Sequence, residues 1–186
     1  MNKSFLFETI DYTGEQLSSL WIYKNAGIRG DAMVSFVGKA DVRAHMVDQE
    51  DILNKEFIYS ERMLHFLIEH FDHDLEKAVL KQRLLMVIIE DVIKEYGLQN
   101  SIVRRGDDLY IDSRKLSVSI ATISPVSSLV HAGLNISSQN TPVETYALLD
   151  IIKEKDLEPF ADKVMERYVK EMEDIYLARC KVKGVN

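Results

Sequence analysis

The residue types that chemistry needs are concentrated between Arg104 and Ser137, at strand-like spacing. Side chains alternate across a strand. A strand starting at Lys115 therefore puts Lys115, Ser117, Ser119 and Ala121 on one face and Leu116, Val118, Ile120 and Thr122 on the other. The next run divides in the same way, with His131, Gly133, Asn135 and Ser137 opposite Val130, Ala132, Leu134 and Ile136. If the two strands pair through the 124–128 turn with their apolar faces together, Val118 goes into the core. The other face then gathers a lysine, a histidine, an asparagine and several small residues over a slot. Small side chains leave room for a ligand; a polar sheet face simply in water is the competing expectation. A fixed ammonium in a partly dry slot suits a carboxylate or a phosphate. Arg104 and Arg105 beside Arg114 and Lys115 make the densest cationic stretch, Arg29 adds a cation in the turn at 27–31, and Asp108 and Asp112 flank the hairpin.

Two other groups carry reactive types. His65, Glu69, His70, Asp72, His73 and Asp74 crowd what reads as one helix end, where His70 and His73 have i, i+3 spacing. They lack a fourth ligand, so a polar helix end rather than a metal site is expected. Cys180 stands alone between Arg179 and Lys181 on an expected last strand, where both neighbours point to the opposite face; an ordinary or buried thiol is expected.

The elements that must position these groups follow from periodicity. Residues 5–10 read as extended, and Thr13 with Gln16 as a capping box for a short helix through Leu17, Leu20, Trp21 and Lys24. Residues 32–37 alternate as a strand. From Ser60, the stripe Met63, Leu64, Leu67, Ile68 and Phe71 predicts a helix, and Asp74 opens a longer one to about Tyr96, stopped at Gly97. Strands are expected at 102–105, 109–111, 115–123 and 129–137, joined by turns at Gly106-Asp107 and Asp112-Ser113. A last helix begins near Leu157, with Asp156 as its cap and Phe160, Val164, Tyr168, Met172 and Ile175 on one stripe. No repeat or linker interrupts the chain. The expectation is an α+β protein, one domain over 1–186, with an antiparallel or mixed sheet packed by helices.

Composition sets outer limits. At 186 residues and 46% hydrophobic, the chain can bury a sizeable core. Eight glycines and three prolines exclude low-complexity classes. A formal charge of −7 disfavours binding to phosphate backbones, so no nucleic-acid partner is expected. The longest wholly apolar run, Leu84 to Ile89, is far shorter than a membrane span, and one cysteine asks for no oxidising compartment. A soluble, cytoplasmic protein without a membrane partner is expected.

The segment Leu109-Tyr110-Ile111-Asp112-Ser113-Arg114-Lys115-Leu116-Ser117, followed by His131-Ala132-Gly133-Leu134-Asn135-Ile136, resembles the central hairpin and following strand of the biotin and lipoate protein ligase superfamily, octanoyl transferases included. From Gly27-Ile28-Arg29-Gly30-Asp31 to Ala178-Arg179-Cys180-Lys181, the whole chain looks most like an uncharacterised branch of that superfamily, catalogued as a domain of unknown function. The resemblance implies that Lys115 is the lysine contacting an acyl carboxylate or acyl-adenylate, and that Asp108 lies near a nucleotide and its magnesium. ATP and Mg2+ are the cofactors it implies, although the glycine-rich loops of the superfamily have no counterpart here beyond 27–30. Three functions stay open at this point: a ligase-like enzyme acting on a small carboxylic acid, a non-catalytic binder of an anionic metabolite or peptide, and a lysine or cysteine acyltransferase. A homodimer is left open.

Overall fold

The computed structural model describes residues 1–98 and 101–185. In chain order its strands are β1 (Asn2–Leu6), β2 (Ala32–Val42), β3 (Ile58–His70), β4 (Ile102–Arg105), β5 (Asp108–Ile111), β6 (Arg114–Lys115), β7 (Ser117–Ile123) and β8 (Ser128–Asn135). Its helices are α1 (Trp21–Ala26), α2 (Gln49–Asn54), α3 (Leu75–Lys94) and α4 (Leu157–Cys180). One sheet runs β1-β2-β3-β8-β7, and a small second sheet runs β4-β5-β6. In the large sheet β1 is parallel to β2 and the other neighbours are antiparallel. The expected α+β class with a mixed sheet packed by helices is what the chain adopts.

The central strand explains one departure from expectation. Residues 60–71, read above as a helix, lie largely in β3, buried without interruption from Met63 to His70. A strand covered on both faces is apolar on both, so its run of six mostly apolar residues also fills a helical stripe. Leu64, Phe66 and Ile68 pack against α3 and α4, together with Leu85, Ile89, Phe160 and Val164. Leu67 joins Tyr12, Leu17, Ile22 and Phe36 on the opposite face. The histidines and acids of this stretch therefore do not share a helix end.

The helices begin where local chemistry allows. Asp74 caps α3, its Oδ1 accepting from the Lys77 amide at 3.0 Å, which satisfies an otherwise orphan donor of the first turn. Gln16 Oε1 accepts from the Thr13 amide at 2.9 Å, as the capping box requires, yet regular helix starts only at Trp21. Leu20 sits at φ 63°, and its amide donates 2.8 Å to the buried Glu69 carboxylate. That left-handed residue interrupts the helix expected from Leu17. At the other end, Cys180 closes α4 and is exposed, not extended as expected. Among the described residues no helix is long and apolar enough to cross a membrane.

The hairpin β7–β8 forms as expected, but with its faces arranged differently. Val118 pairs with Gly133 and Ile120 with His131, whereas Ser117 pairs with Leu134 and Ser119 with Ala132. Val118 and Ile120 therefore share the face of His131, Gly133 and Asn135, and Ser117, Ser119 and Ala121 lie towards α3. Alternation fails at Leu116 and Ser117, both fully buried. Ser117 turns inward because its Oγ accepts from the Leu109 amide at 2.8 Å, and Ser119 Oγ is held by Gln82 of α3 and by the Asp107 carbonyl, each at 2.8 Å. The placement of Val118 in the core is thus corrected, and so is its consequence. Val118→Asp is expected to fold, with a loss of about 1 kcal/mol or less, whereas Ala132→Asp on the fully buried face is expected to unfold the protein. Thermal melts of the two variants followed by circular dichroism check this; unfolding of Val118→Asp would contradict the assignment of faces.

Candidate functional site

A cavity of about 310 Å³ opens on the sheet face opposite α3 and α4. Its floor is β3, β8 and β7, and its walls are residues 42–59, with α2, and the segment 141–145. Of the candidates read from the sequence, Asp108, Lys115, His131 and Asn135 border it, as does Ser119, which lies towards α3 but on the edge strand β7. Gly133 lies beneath it, under Met63.

Lys115 reaches the cavity because of a tight hairpin. Asp112 and Ser113 take φ 49° and 66°, the twist that a two-residue connection between right-twisted strands demands and that aspartate tolerates. Tyr110 then pairs with Lys115, which sets Asp108 beside Lys115, Oδ2 to Nζ 2.8 Å. Asp112 accordingly serves the turn and is exposed, 3.9 Å from Arg114. Burial pushes the Asp108 carboxyl up from the usual range, against the pull of Lys115. Burial alone would lower the Lys115 ammonium, but the charge and hydrogen bond of Asp108, with Tyr110 and Asp107 behind it, carry it above the ordinary lysine value. Lys115 is therefore charged throughout the neutral range.

The remaining expected contacts lie elsewhere. Arg29 extends over the Tyr23 ring at 5.6 Å, Arg105 over Tyr110 at 5.2 Å and Arg114 over Tyr146 at 4.5 Å. Arg104 donates to the Gly106 carbonyl. None of the four borders the cavity. The basic cluster read from 104–115 is thereby dispersed, each guanidinium finding a ring or carbonyl of its own, and Ser117 lies on the wrong face.

Sequence reasoning missed the other wall and the depth of the floor. His65 Nδ1 and His131 Nε2 are 3.0 Å apart and buried. The Tyr12 ring stacks on His131 at 3.8 Å, nearly parallel; Phe36 stacks on His65 at 4.9 Å. Burial lowers the His65 imidazolium to about 3, with the Gly38 main chain acting the other way. Burial and the neighbouring His65 lower His131 well below its usual value. Both rings are neutral, and His65 Nε2 has no hydrogen-bond partner. A strand reading of 58–70 would have put His65 and Met63 on one face; no spacing pointed to Tyr12.

Charge decides what the site accepts. Asp48, Asp51, Glu56, Asp107 and Asp108 border the cavity, and Lys115 is its one lysine or arginine among the described residues. Asp48 caps α2, accepting from the amides of Glu50 and Asp51, and so fixes acids at the rim. Burial, then Asp48 and Glu56, raise the Asp51 carboxyl, while Lys115 opposes. A polyphosphate would meet five carboxylates and one ammonium, and the cations expected to help it lie outside. These residues do not fit the ATP and magnesium that the resemblance implies. Among the described residues no group of three or more His, Cys, Asp or Glu is placed to hold a metal ion.

Comparison with known proteins bears on fold and kinship. A solved structure described as a protein of unknown function from Pyrococcus horikoshi is 36% identical, with a TM-score of 0.87 over 99% of this chain and 100% of that one. An uncharacterised protein of Methanocaldococcus jannaschii is 35% identical over 181 residues, 94% of this chain and 81% of the relative. A biotin protein ligase from Aquifex aeolicus, solved with biotin, is 17% identical with a TM-score of 0.60 over 93% of this chain and 70% of that one. A lipoate-protein ligase A bound with ATP is 14% identical, with a TM-score of 0.58 over 91% and 86%. At such identities the ligases establish a shared fold, which is the biotin and lipoate ligase fold expected from the hairpin. A family model described as a domain of unknown function, DUF366, matches residues 1–183, and the chain belongs to that family.

Proposed function

We propose that this protein binds a small monocarboxylic acid, with the acid's carboxylate on Lys115 and its apolar body along Val118, Met63 and Ile120. The observation that carries the reading is the Lys115–Asp108 pair at the cavity wall, 2.8 Å apart and largely withdrawn from water. Among the described residues Lys115 is the one lysine or arginine bordering a cavity lined otherwise by five carboxylates, apolar groups and polar groups such as Ser119, Asn135 and Thr145, so it is the natural partner for a single negative charge. The acid-rich rim disfavours a second charge on the ligand. The fold likeness to proteins solved with biotin supports an organic acid as the class, and a cytoplasmic location belongs to the same proposal.

Such a ligand must compete with Asp108 for Lys115. Once a carboxylate neutralises Lys115, Asp108 loses the attraction holding its carboxyl down, while the burial that raises it remains. Asp108 then takes up a proton. Binding is therefore expected to be proton-linked, with affinity rising as the pH falls from 7 until the ligand's own carboxyl titrates. Calorimetric titration of octanoic acid in buffers of different ionisation enthalpy should register net proton uptake. Lys115→Ala should weaken binding by about tenfold to about a hundredfold, the range for a lost charge-assisted hydrogen bond, with the fold retained by circular dichroism and the melting temperature somewhat lower because Asp108 loses its partner. Asp108→Asn should bind more tightly and without proton uptake. Wild-type affinity in Lys115→Ala would refute the reading. Exchange of pyrophosphate into ATP in the presence of a bound acid is not expected, since the acidic rim does not fit a polyphosphate.

A further inference from the structure

The site-facing residues of β8 are, in order, His131, Gly133 and Asn135, and β3 lays His65 and Met63 beside them, paired with Gly133 and Asn135. A methyl group at Gly133 would lie 2.2 Å from Met63 Sδ, 3.1 Å from its Cγ and 3.4 Å from its Cε. The thioether therefore lies flat on bare main chain, in space that any other residue at 133 would fill. Met63 borders the cavity yet is only 1% exposed. On the other side of Gly133, Val118 is its register partner in β7. Met63 and Val118 thus form a waist. At one end stand Lys115 and Asn135, the main-chain N–H of Asn135 donating to the carbonyl of Leu116, the residue after Lys115, at 2.9 Å. At the other end Ile120 faces His131 under the Tyr12 ring. The four-residue step from Asn135 to His131 spans about 13 Å of strand, comparable with an extended medium-chain acid.

We propose that Met63, bedded on Gly133, is the specificity-determining residue of this cavity, setting how long an acyl chain is admitted beyond Lys115. The inference rests on the reading that Lys115 takes the ligand's carboxylate. Methionine suits the task because its unbranched, rotatable side chain packs against irregular surfaces and moves at low cost. Gly133 suits it because only a residue without a side chain leaves the bed open.

The test is the affinity profile of straight-chain acids from butanoic to decanoic, measured by calorimetry. The wild type should show an optimum length. Met63→Ala should move the optimum to longer acids, with changes of about tenfold per methylene newly accommodated; Met63→Val, with a residue suited to a strand, supplies the same comparison if the alanine variant folds poorly. Gly133→Ala should act oppositely: the new methyl pushes the thioether into the cavity, and the longest acids lose about tenfold or more. Combining it with Met63→Ala should restore them, because the obstructing side chain is gone. Unchanged profiles in Met63→Val and Gly133→Ala would overturn the proposal while leaving the carboxylate reading intact. If the wild type binds no acid at any length, the carboxylate reading falls and this inference with it.

Discussion

Replacing Gly38 by alanine is expected to cost about 3 kcal/mol or more, the range for substitutions that force backbone apart in a packed core. An added methyl group would lie 1.8 Å from the Ile10 carbonyl oxygen and 2.5 Å from its carbon, and main chain cannot swing aside as a side-chain tip can. Residues 10–12 are laced to β2 at this point. Ile10 N donates to Val37 O at 3.0 Å, Tyr12 N to Lys39 O at 2.7 Å and Asp41 N to Tyr12 O at 2.9 Å. The register of β2 against β3 shifts between Gly38 and Ala40 to receive them. Lifting this segment also lifts Tyr12 from His131, so the substitution should damage the cavity as well as stability. A melting temperature lower by about 10 °C is expected, given about 3 °C per kcal/mol at this chain length. A fall of less than about 3 °C would show that the strands slide apart at little cost.

Acid should unfold the protein through its two buried imidazoles. His65 and His131 are neutral when folded because burial holds their pKa values down, His65 to about 3. In the unfolded chain both return to the ordinary value near 6.5, so the unfolded state binds the extra protons below that pH. The stability these rings allow is complete above about pH 6.5 and is lost as the pH falls, by about 1.4 kcal/mol per group per pH unit. For His65 this amounts to about 2 kcal/mol between pH 6.5 and 4.5, and His131, lowered for the same reason, adds to it in the same direction. Urea unfolding at pH 7, 6 and 5 measures the slope, and the His65→Gln, His131→Gln double variant should flatten it. An equal slope in both proteins would place the acid sensitivity elsewhere.

Where one face of an element is buried and the other wet, the sequence was a good guide. Asp74 and Gly97 bracketed α3, and the Asp112-Ser113 turn with its flanking alternation marked the hairpin that carries Lys115. Where both faces are buried, the pattern lost its phase. Met63 to His70 serve a helical layer on one side and the cavity on the other, so neither period was diagnostic. The reversal of β7 had a different cause: Leu116 and Ser117 turn inward together because the Leu109 amide needs an acceptor, a long-range demand that alternation cannot express. Of the residues that border the cavity, the sequence had pointed to Asp108, Lys115, Ser119, His131 and Asn135. It did not reveal the acidic rim of 48–56 or the tyrosine over His131, since both come from segments that only the closed fold brings to β8.

That last feature governs how a ligand would be felt by the rest of the molecule. The cavity draws on residues from Tyr12 to Thr145, with β2, β3, β7 and β8 between them. No short stretch of chain holds the site by itself, so a partially unfolded state that releases any one of these segments loses binding altogether. Occupancy should slow amide hydrogen exchange across the whole large sheet in one step rather than only in the loops at the cavity mouth. Fragments of the chain would then have no residual affinity to contribute to a split or permuted form until every strand has been reassembled.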